Sequence, residues 1–458
     1  MFGKPVKPGS VGEVVAIALP MVVSYACDTV MIFTDRLFLA KQGPVFMNAV
    51  MGGGLGVFMM MSFVLGLTGY TTAIAAQYLG AEQKEKCSVV TTQALLLVLA
   101  SYPVILACRP LAHGFFEIMG VSPEQLGPQK EYFDLMLFGV IISLTRHTLS
   151  SFFSGIGNTA IVMAASLTAM LVNVLLCYIL IHGKLGFPAL GIKGAAYATI
   201  VGAFSGVLVL AARYFSREVA AAYGVMKSFL YNREVMSKLW KFGTPAGFEF
   251  FLNILSFNIM VFLFHSAGPV SATATTIVFN WDMVSFVPLI GLEVAVTSLV
   301  GRSMGAGNPA MAHRSTMSAL KFGLVYSSVI FVLFVLFPGP LVGVFSPGSY
   351  NPLFTDAVPI AITMLRLASL YVFLQAMMLC MIGALRGAGD TLWAMWMTVG
   401  VHWTLVVVLF VMLRILGLSP QQGWIALILV FFVFSYVVYL RYSSGAWKKL
   451  SILTEGPP

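Results

Sequence analysis

The sequence predicts an all-α membrane protein, with about twelve transmembrane helices in two parallel six-helix lobes. Three observations carry that prediction. The 458-residue chain is 59% hydrophobic and only 9% charged, whereas a soluble domain carries about 25% charged residues. Its apolar runs are long and continuous, as spanning helices of ~20 residues require, and not the ~10-residue alternating strands of a membrane barrel. Finally, the same helix-ending turns are written twice, 225 positions apart.

Taken in order, the spans fall at about 12–38, 46–76, 88–110, 132–155, 160–183, 189–212, 238–264, 270–303, 313–338, 357–384, 391–416 and 421–444. The breaks between them carry Gly, Pro, Asn or charge, as turn chemistry demands. The apolar stretch after MFGKPVKPGS runs to about residue 39. It is longer than a signal peptide's hydrophobic region and lacks a clear A-x-A site, so it is read as the first span. The longest polar connection is 213–237, with Arg213, Arg217, Lys227 and Arg233 beside Glu218 and Glu234. It is expected to be a cytoplasmic linker between an N-lobe at 1–212 and a C-lobe at 238–458.

Orientation follows from Lys and Arg in short loops, which favour the cytoplasmic side. With the N-terminus inside, 17 basic residues fall on the inner face and 7 on the outer, with Arg146 and Arg366 inside spans. Both termini are therefore expected in the cytoplasm of a multi-pass cell-membrane protein. The same bias explains the net charge of +9, so no nucleic-acid partner is expected. The five cysteines are scattered and form no CxxC, and no HxxxH or HExxH marks a metal site.

The repeat can be followed residue by residue. Pro20 in IALPMVV pairs with Pro245 in FGTPAGF, and Leu79-Gly80-Ala81 with Met304-Gly305-Ala306, both at an offset of 225. SGIGNT (154–159) matches RGAGDT (386–391) at an offset of 232, which implies a seven-residue insertion around SPGSYNP (346–352). Six spans per half is an even number, so the halves enter the membrane with the same orientation, as parallel transporter repeats do.

These segments resemble the multidrug and toxic compound extrusion (MATE) family of secondary transporters. The residues that carry the resemblance are Pro20 followed by FTDRLFLA (33–40), the LGAEQ and VGRSMGAGNP turns, LVNVLLC (171–177), LGFPALGIKGAAYAT (185–199) and ALRGAGDT (384–391). The resemblance implies an antiporter that exports amphiphilic, often cationic, organic compounds against an inward flow of H⁺ or Na⁺. It implies no other cofactor, and a monomer whose partners are small organic substrates and the lipid bilayer.

Ionisable groups inside a membrane are expensive and mark candidate sites. Asp28 and Asp35 are seven residues apart and share a face of the first helix to within about 20°. Asp35 occupies the position of the family's first-helix acid, which implies a proton- or cation-linked carboxylate. It also stands ~35 Å along its helix, so pairing with Arg36 or Lys41 at the interface is the other reading. The family's fifth-helix pair is an Asn and an Asp one turn apart. Here Asn173 is present and Cys177 takes the acid's place, while Thr199 fits the accompanying hydroxyl. In the C-lobe, Asn253 stands where many members carry a Glu, and Glu249 lies one turn earlier within about 40° on the same face. Asp282 and Glu293, three turns apart on the eighth helix, could complete a carboxylate set with Glu249 or pair with Arg366.

Other readings are weaker. A lipid-linked saccharide flippase would carry more basic residues inside its spans. An enzyme would need a clustered acid, His or metal constellation, and none is written here. MGGGLG (51–56) lacks the Lys-Ser/Thr of a phosphate loop, and no Walker motif supplies ATP chemistry.

Overall fold

The computed structural model describes residues 7–40, 44–118, 123–346, 350 and 352–453. Twelve of its helices are long and apolar enough to cross a membrane. They are α1 (Val11–Leu39), α2 (Val45–Gly80), α3 (Lys84–Ala107), α4 (Pro123–Gly155), α5 (Thr159–His182), α6 (Ile192–Tyr214), α7 (Arg233–His265), α8 (Pro269–Gly305), α9 (Pro309–Leu336), α10 (Pro352–Ala388), α11 (Thr391–Ile415) and α12 (Pro420–Ser443). Most spans expected from the apolar runs match within a few residues, and α2, α4, α7 and α10 run longer. No strand occurs among the described residues. Large apolar side chains such as Leu171, Leu208, Phe262 and Val329 are exposed. That distribution suits helices that meet lipid on one side and protein on the other.

Local chemistry sets the helix ends. Asn308 accepts the Met311 N–H at 2.9 Å, with Pro309 as the first helical residue. Ser419 and Gln422 form a capping box ahead of α12, again with Pro at the start. Gly183, in the left-handed region at φ +65°, closes α5.

The chain divides into two compact units, residues 23–251 and residues 1–22 with 252–458. The boundaries cut α1 and α7, and the 213–237 connection lies wholly within the first unit. In the first unit α4 is the central helix, packed against α2, α3 and α6, while α5 pairs with α6. In the second, α10 is central, packed against α8, α9 and α12, while α11 pairs with α12. The second scheme repeats the first with six added to each helix number.

The repeat extends to single hydrogen bonds. Ala81 N–H donates to Gln77 O and Gln83 N–H to Tyr78 O, both at 2.9 Å. At the 225 offset, Ala306 N–H donates to Arg302 O at 3.1 Å and Asn308 N–H to Ser303 O at 2.9 Å. Glu82 is left-handed at φ +61°, and its counterpart Gly307 at φ +67°. At the 232 offset, Asn158 N–H to Phe153 O (2.8 Å) is matched by Asp390 N–H to Leu385 O (2.9 Å). Helix contacts follow the same rule. A Cβ on Gly155 would lie 2.8 Å from Thr72 O, and one on Gly387 2.7 Å from Thr297 O. The inserted segment around SPGSYNP falls partly outside the described residues, at 347–349 and 351.

MGGGLG is helical and lies inside α2. Gly52 and Gly53 let α2 approach α4 at Gln129, so these glycines serve packing. In VFMMMSF, Met60 and Met61 pack beside the cluster that holds Phe116 and Phe133.

Candidate functional site

Three helices of the first unit converge on Asp35, which α1 carries at 5% exposure. Helix α5 supplies Asn173 and Cys177, one turn apart and both fully buried, and α6 supplies Thr199. Their approach depends on Gly202, one turn beyond Thr199. A Cβ there would sit 2.8 Å from Ala169 O and 2.9 Å from Asn173 Cβ.

The carboxylate is held by neutral donors. Asp35 Oδ1 accepts from Cys177 Sγ at 2.8 Å and from Asn173 Nδ2 at 3.3 Å. Oδ2 accepts from Thr199 Oγ1 at 2.8 Å. Asn173 Nδ2 also reaches Thr199 Oγ1 at 3.2 Å, and the Tyr132 phenol lies beside Thr199. Asp35 forms no ion pair with Arg36 among the described residues, and Lys41 lies outside them. The interfacial pairing left open by the sequence is therefore replaced, on the Arg36 side, by a side-chain cradle.

Two features bear on chemistry. Thr199 has one hydroxyl hydrogen and two acceptors in range, Asp35 Oδ2 and Ala195 O at 3.0 Å. It can donate to Asp35 when the acid is ionised, or donate to Ala195 O and accept from Asp35 when the acid is protonated. In addition, Asn173 Oδ1 is buried without a hydrogen-bond partner among the described residues. Such an acceptor is costly to leave unused.

Asp28 takes a different course. Its carboxylate meets Arg146 Nη2 of α4 at 3.0 Å, and Arg146 Nη1 reaches Ser166 Oγ at 3.3 Å. Ser166 and Ser24 hydroxyls are 2.6 Å apart. Although Asp28 and Asp35 share a helix, one is salt-bridged to α4 and the other is held by α5 and α6. Glu249 is buried on α7, at 3% exposure in the same unit.

In the second unit, the two acids of α8 have separate partners. Tyr371 donates its hydroxyl to Asp282 Oδ1 at 2.6 Å, and Glu293, 7% exposed, forms an ion pair with Arg386 of α10. Arg366, the partner considered from sequence, is exposed on α10. Arg386 wins because it lies beside Gly383, whose missing side chain brings α10 to within a Cβ contact of 2.7 Å at Glu293 O. Asn253 on α7 is half-buried, with Oδ1 lacking a partner among the described residues. The structure thus brings Asp35, Asn173 and Thr199 together and distributes Asp282 and Glu293 to Tyr371 and Arg386. Sequence reasoning did not assign Cys177, Tyr132, Arg386 or the Asp28–Arg146 pair to these roles. Arg146 carried a usable signal, a cation inside a span.

Two matched sets of spanning helices, each with buried acids of its own, are the build of a helical membrane transporter. The MatE family model matches residues 20–179 and again 245–412, each match beginning at one of the repeated prolines. The chain belongs to the MatE family. Among its relatives is a probable multidrug resistance protein NorM of Thermotoga maritima, 28% identical over 97% of this chain and 94% of that one. Another is the multidrug resistance protein PmpM of Pseudomonas aeruginosa, 26% identical over 85% of this chain and 81% of its own. Solved structures with the same fold include MATE in the straight conformation, at TM-score 0.86 and 21% identity over 97% of this chain and 100% of that one. A MOP superfamily transporter from Pyrococcus furiosus superposes at TM-score 0.85, with 22% identity over 97% and 100% of the two chains.

Proposed function

We propose that this protein exports amphiphilic, often cationic, organic compounds by antiport, and that Asp35 is the group that couples export to ion entry. The relatives named for multidrug resistance support the substrate class. The observation that carries the coupling site is the cradle: a buried carboxylate held by an amide, a hydroxyl and a thiol, with no ion pair among the described residues.

A buried carboxylate held without an ion pair is costly. Asp35 is relieved of that cost by a proton or by a bound cation, and Thr199 can bond to either protonation state. A Na⁺ ion would prefer several oxygen ligands, as hard cations do. At Cys177 the cradle offers sulfur, a soft ligand, where the family pattern has a carboxylate. The proton is therefore the coupling ion this cradle favours. Uptake at Asp35 and binding of a cationic substrate then compete, and exchange between two arrangements of the repeats at 1–212 and 238–458 gives alternating access. Glu249, Asn253, Asp282 and Glu293, each in its own surroundings, are assigned to substrate or ion handling, with Asp282 and Glu293 restrained by Tyr371 and Arg386. The reading includes a monomer in the cell membrane with both termini cytoplasmic, and it calls for no nucleic acid or organic cofactor.

The test is efflux of a fluorescent cation from proteoliposomes, with a pH gradient or a Na⁺ gradient imposed separately. Efflux driven by the pH gradient alone is expected. Efflux that responds only to Na⁺ would overturn the assignment of the proton.

A further inference from the structure

The connection between α6 and α7 was expected to be a polar linker, but its outer surface is largely apolar. After Phe215 the chain forms a short helix (Arg217–Tyr223), a 3-10 turn (Val225–Lys227) and an extended run to Asn232. Its inner side is fastened to α3. Ser88 Oγ donates to Tyr223 O at 2.7 Å, and the Thr92 and Ser228 hydroxyls are 2.9 Å apart. Gln93 donates to Leu230 O at 2.9 Å and accepts from Asn232 N–H at 3.1 Å. Val225 and Ser228 are buried by these contacts.

Fixed in this way, the segment turns Met226 (72% exposed), Leu230 (75%) and Tyr231 (65%) outward. Phe229 stacks on Phe215 at 6.1 Å, and both rings are half exposed. Cations stand among them. The two acids of the region are already paired, Glu218 with Arg213 at 2.8 Å and Glu234 with Lys238 at 2.7 Å. Arg217, Lys227, Arg233 and Lys241 are exposed and make no ion pair among the described residues.

The segment also starts and ends at spanning helices, α6 at Tyr214 and α7 at Arg233, so it lies at the membrane boundary. Aromatic and aliphatic side chains interleaved with uncompensated Lys and Arg suit the headgroup region of an anionic leaflet. A floppy linker could hide such side chains, but this one cannot, because its backbone is hydrogen-bonded to α3. We infer that residues 215–233 form an interfacial platform that seats Phe229, Leu230 and Tyr231 in the bilayer surface and binds anionic phospholipid headgroups through Arg217, Lys227 and Arg233.

The test reads membrane contact and not transport, so its outcome is independent of the function proposed above. A nitroxide is placed on Leu230→Cys in the full-length protein, with Cys108→Ser to remove the one native cysteine that is not buried. The protein is reconstituted in phosphatidylcholine vesicles with or without phosphatidylglycerol at about 30 mol%. Collisions with oxygen should exceed those with a water-soluble nickel chelate, and more so with phosphatidylglycerol. Replacing Arg217, Lys227 and Arg233 with Gln should weaken the phosphatidylglycerol response by about fivefold per charge removed, while free glycerol phosphate should leave the label unmoved. A label with the water access of a soluble loop in both vesicles would overturn the proposal. So would a triple variant that responds to phosphatidylglycerol like its parent, or displacement by glycerol phosphate, which would mark a soluble anion as the ligand.

Discussion

Gly387→Ala is expected to be among the more damaging single-methyl changes in the chain. The new Cβ would lie 2.7 Å from Thr297 O and 3.1 Å from Gly301 N, both backbone atoms of the facing helix α8. Ordinary carbon–oxygen contacts need more room, so α8 and α10 must separate by several tenths of an ångström over a closely packed interface. Overpacking of this kind costs about 1–3 kcal/mol, offset by up to about 1 kcal/mol gained when Ala replaces Gly in a helix. At a net loss of about 1–2 kcal/mol, a unit of this size falls by roughly 2–8 °C in apparent melting temperature. The repeat predicts the same of Gly155→Ala, which faces Thr72 O at 2.8 Å. Gly54→Ala is the control, since its nearest neighbour would be Tyr132 Cε1 at 3.8 Å. The assay is thermal unfolding of purified protein in detergent, followed by size-exclusion monodispersity. If Gly387→Ala melts with or above the wild type while Gly54→Ala falls, the close-contact account of the α8–α10 interface is wrong.

Arg386→Met should destabilise by about 3 kcal/mol, because it removes the ion-pair partner of the buried Glu293 carboxylate, whereas Glu293→Met with Arg386→Met should recover most of that loss; equal melting temperatures for the single and double variants would contradict a buried pair. Glu82→Gly should raise stability by about 0.5–1 kcal/mol, since it puts at φ +61° the residue that the second repeat already uses at Gly307, and a lower melting temperature would refute strain at that turn. Cys177→Asp supplies an oxygen ligand beside Asp35 and should give efflux a Na⁺ response at least about tenfold stronger than the parent's, measured in proteoliposomes at matched pH.

The class, the twelve spans and the repeat were all legible in the sequence, because lipid imposes long apolar runs and because Gly, Pro and charge mark every break. Pro20 and Pro245 were enough to set the 225 offset. Side-chain partners across helices were much less legible. Asp35 could be named as an acid at a family position, but its choice of Cys177 and Thr199 over Arg36 depends on how closely α5 and α6 approach at Gly202. Arg366 and Arg386 look equivalent as cations on one helix. Only the contact of Gly383 with Glu293 selects between them. The 213–237 connection read as polar because its charges were counted and its backbone was not. The hydrogen bonds from Ser88, Thr92 and Gln93 determine which of its residues face outward, and they join positions more than 130 residues apart.

In the proposed cycle Asp35 exchanges a proton in step with substrate. That exchange is tested most directly by recording proton movement and fluorescent-cation efflux together in proteoliposomes of wild type and Asp35→Asn, with circular dichroism and melting temperature confirming the fold. Asn keeps the size and the hydrogen-bonding reach of Asp but cannot exchange a proton. The account predicts that a pH gradient drives efflux in the wild type with opposing proton entry, and that Asp35→Asn lowers coupled efflux by about tenfold or more with no coupled proton signal. A folded Asp35→Asn protein that still moves protons and substrate at the wild-type rate would contradict the account and shift the coupling role to the buried Glu249.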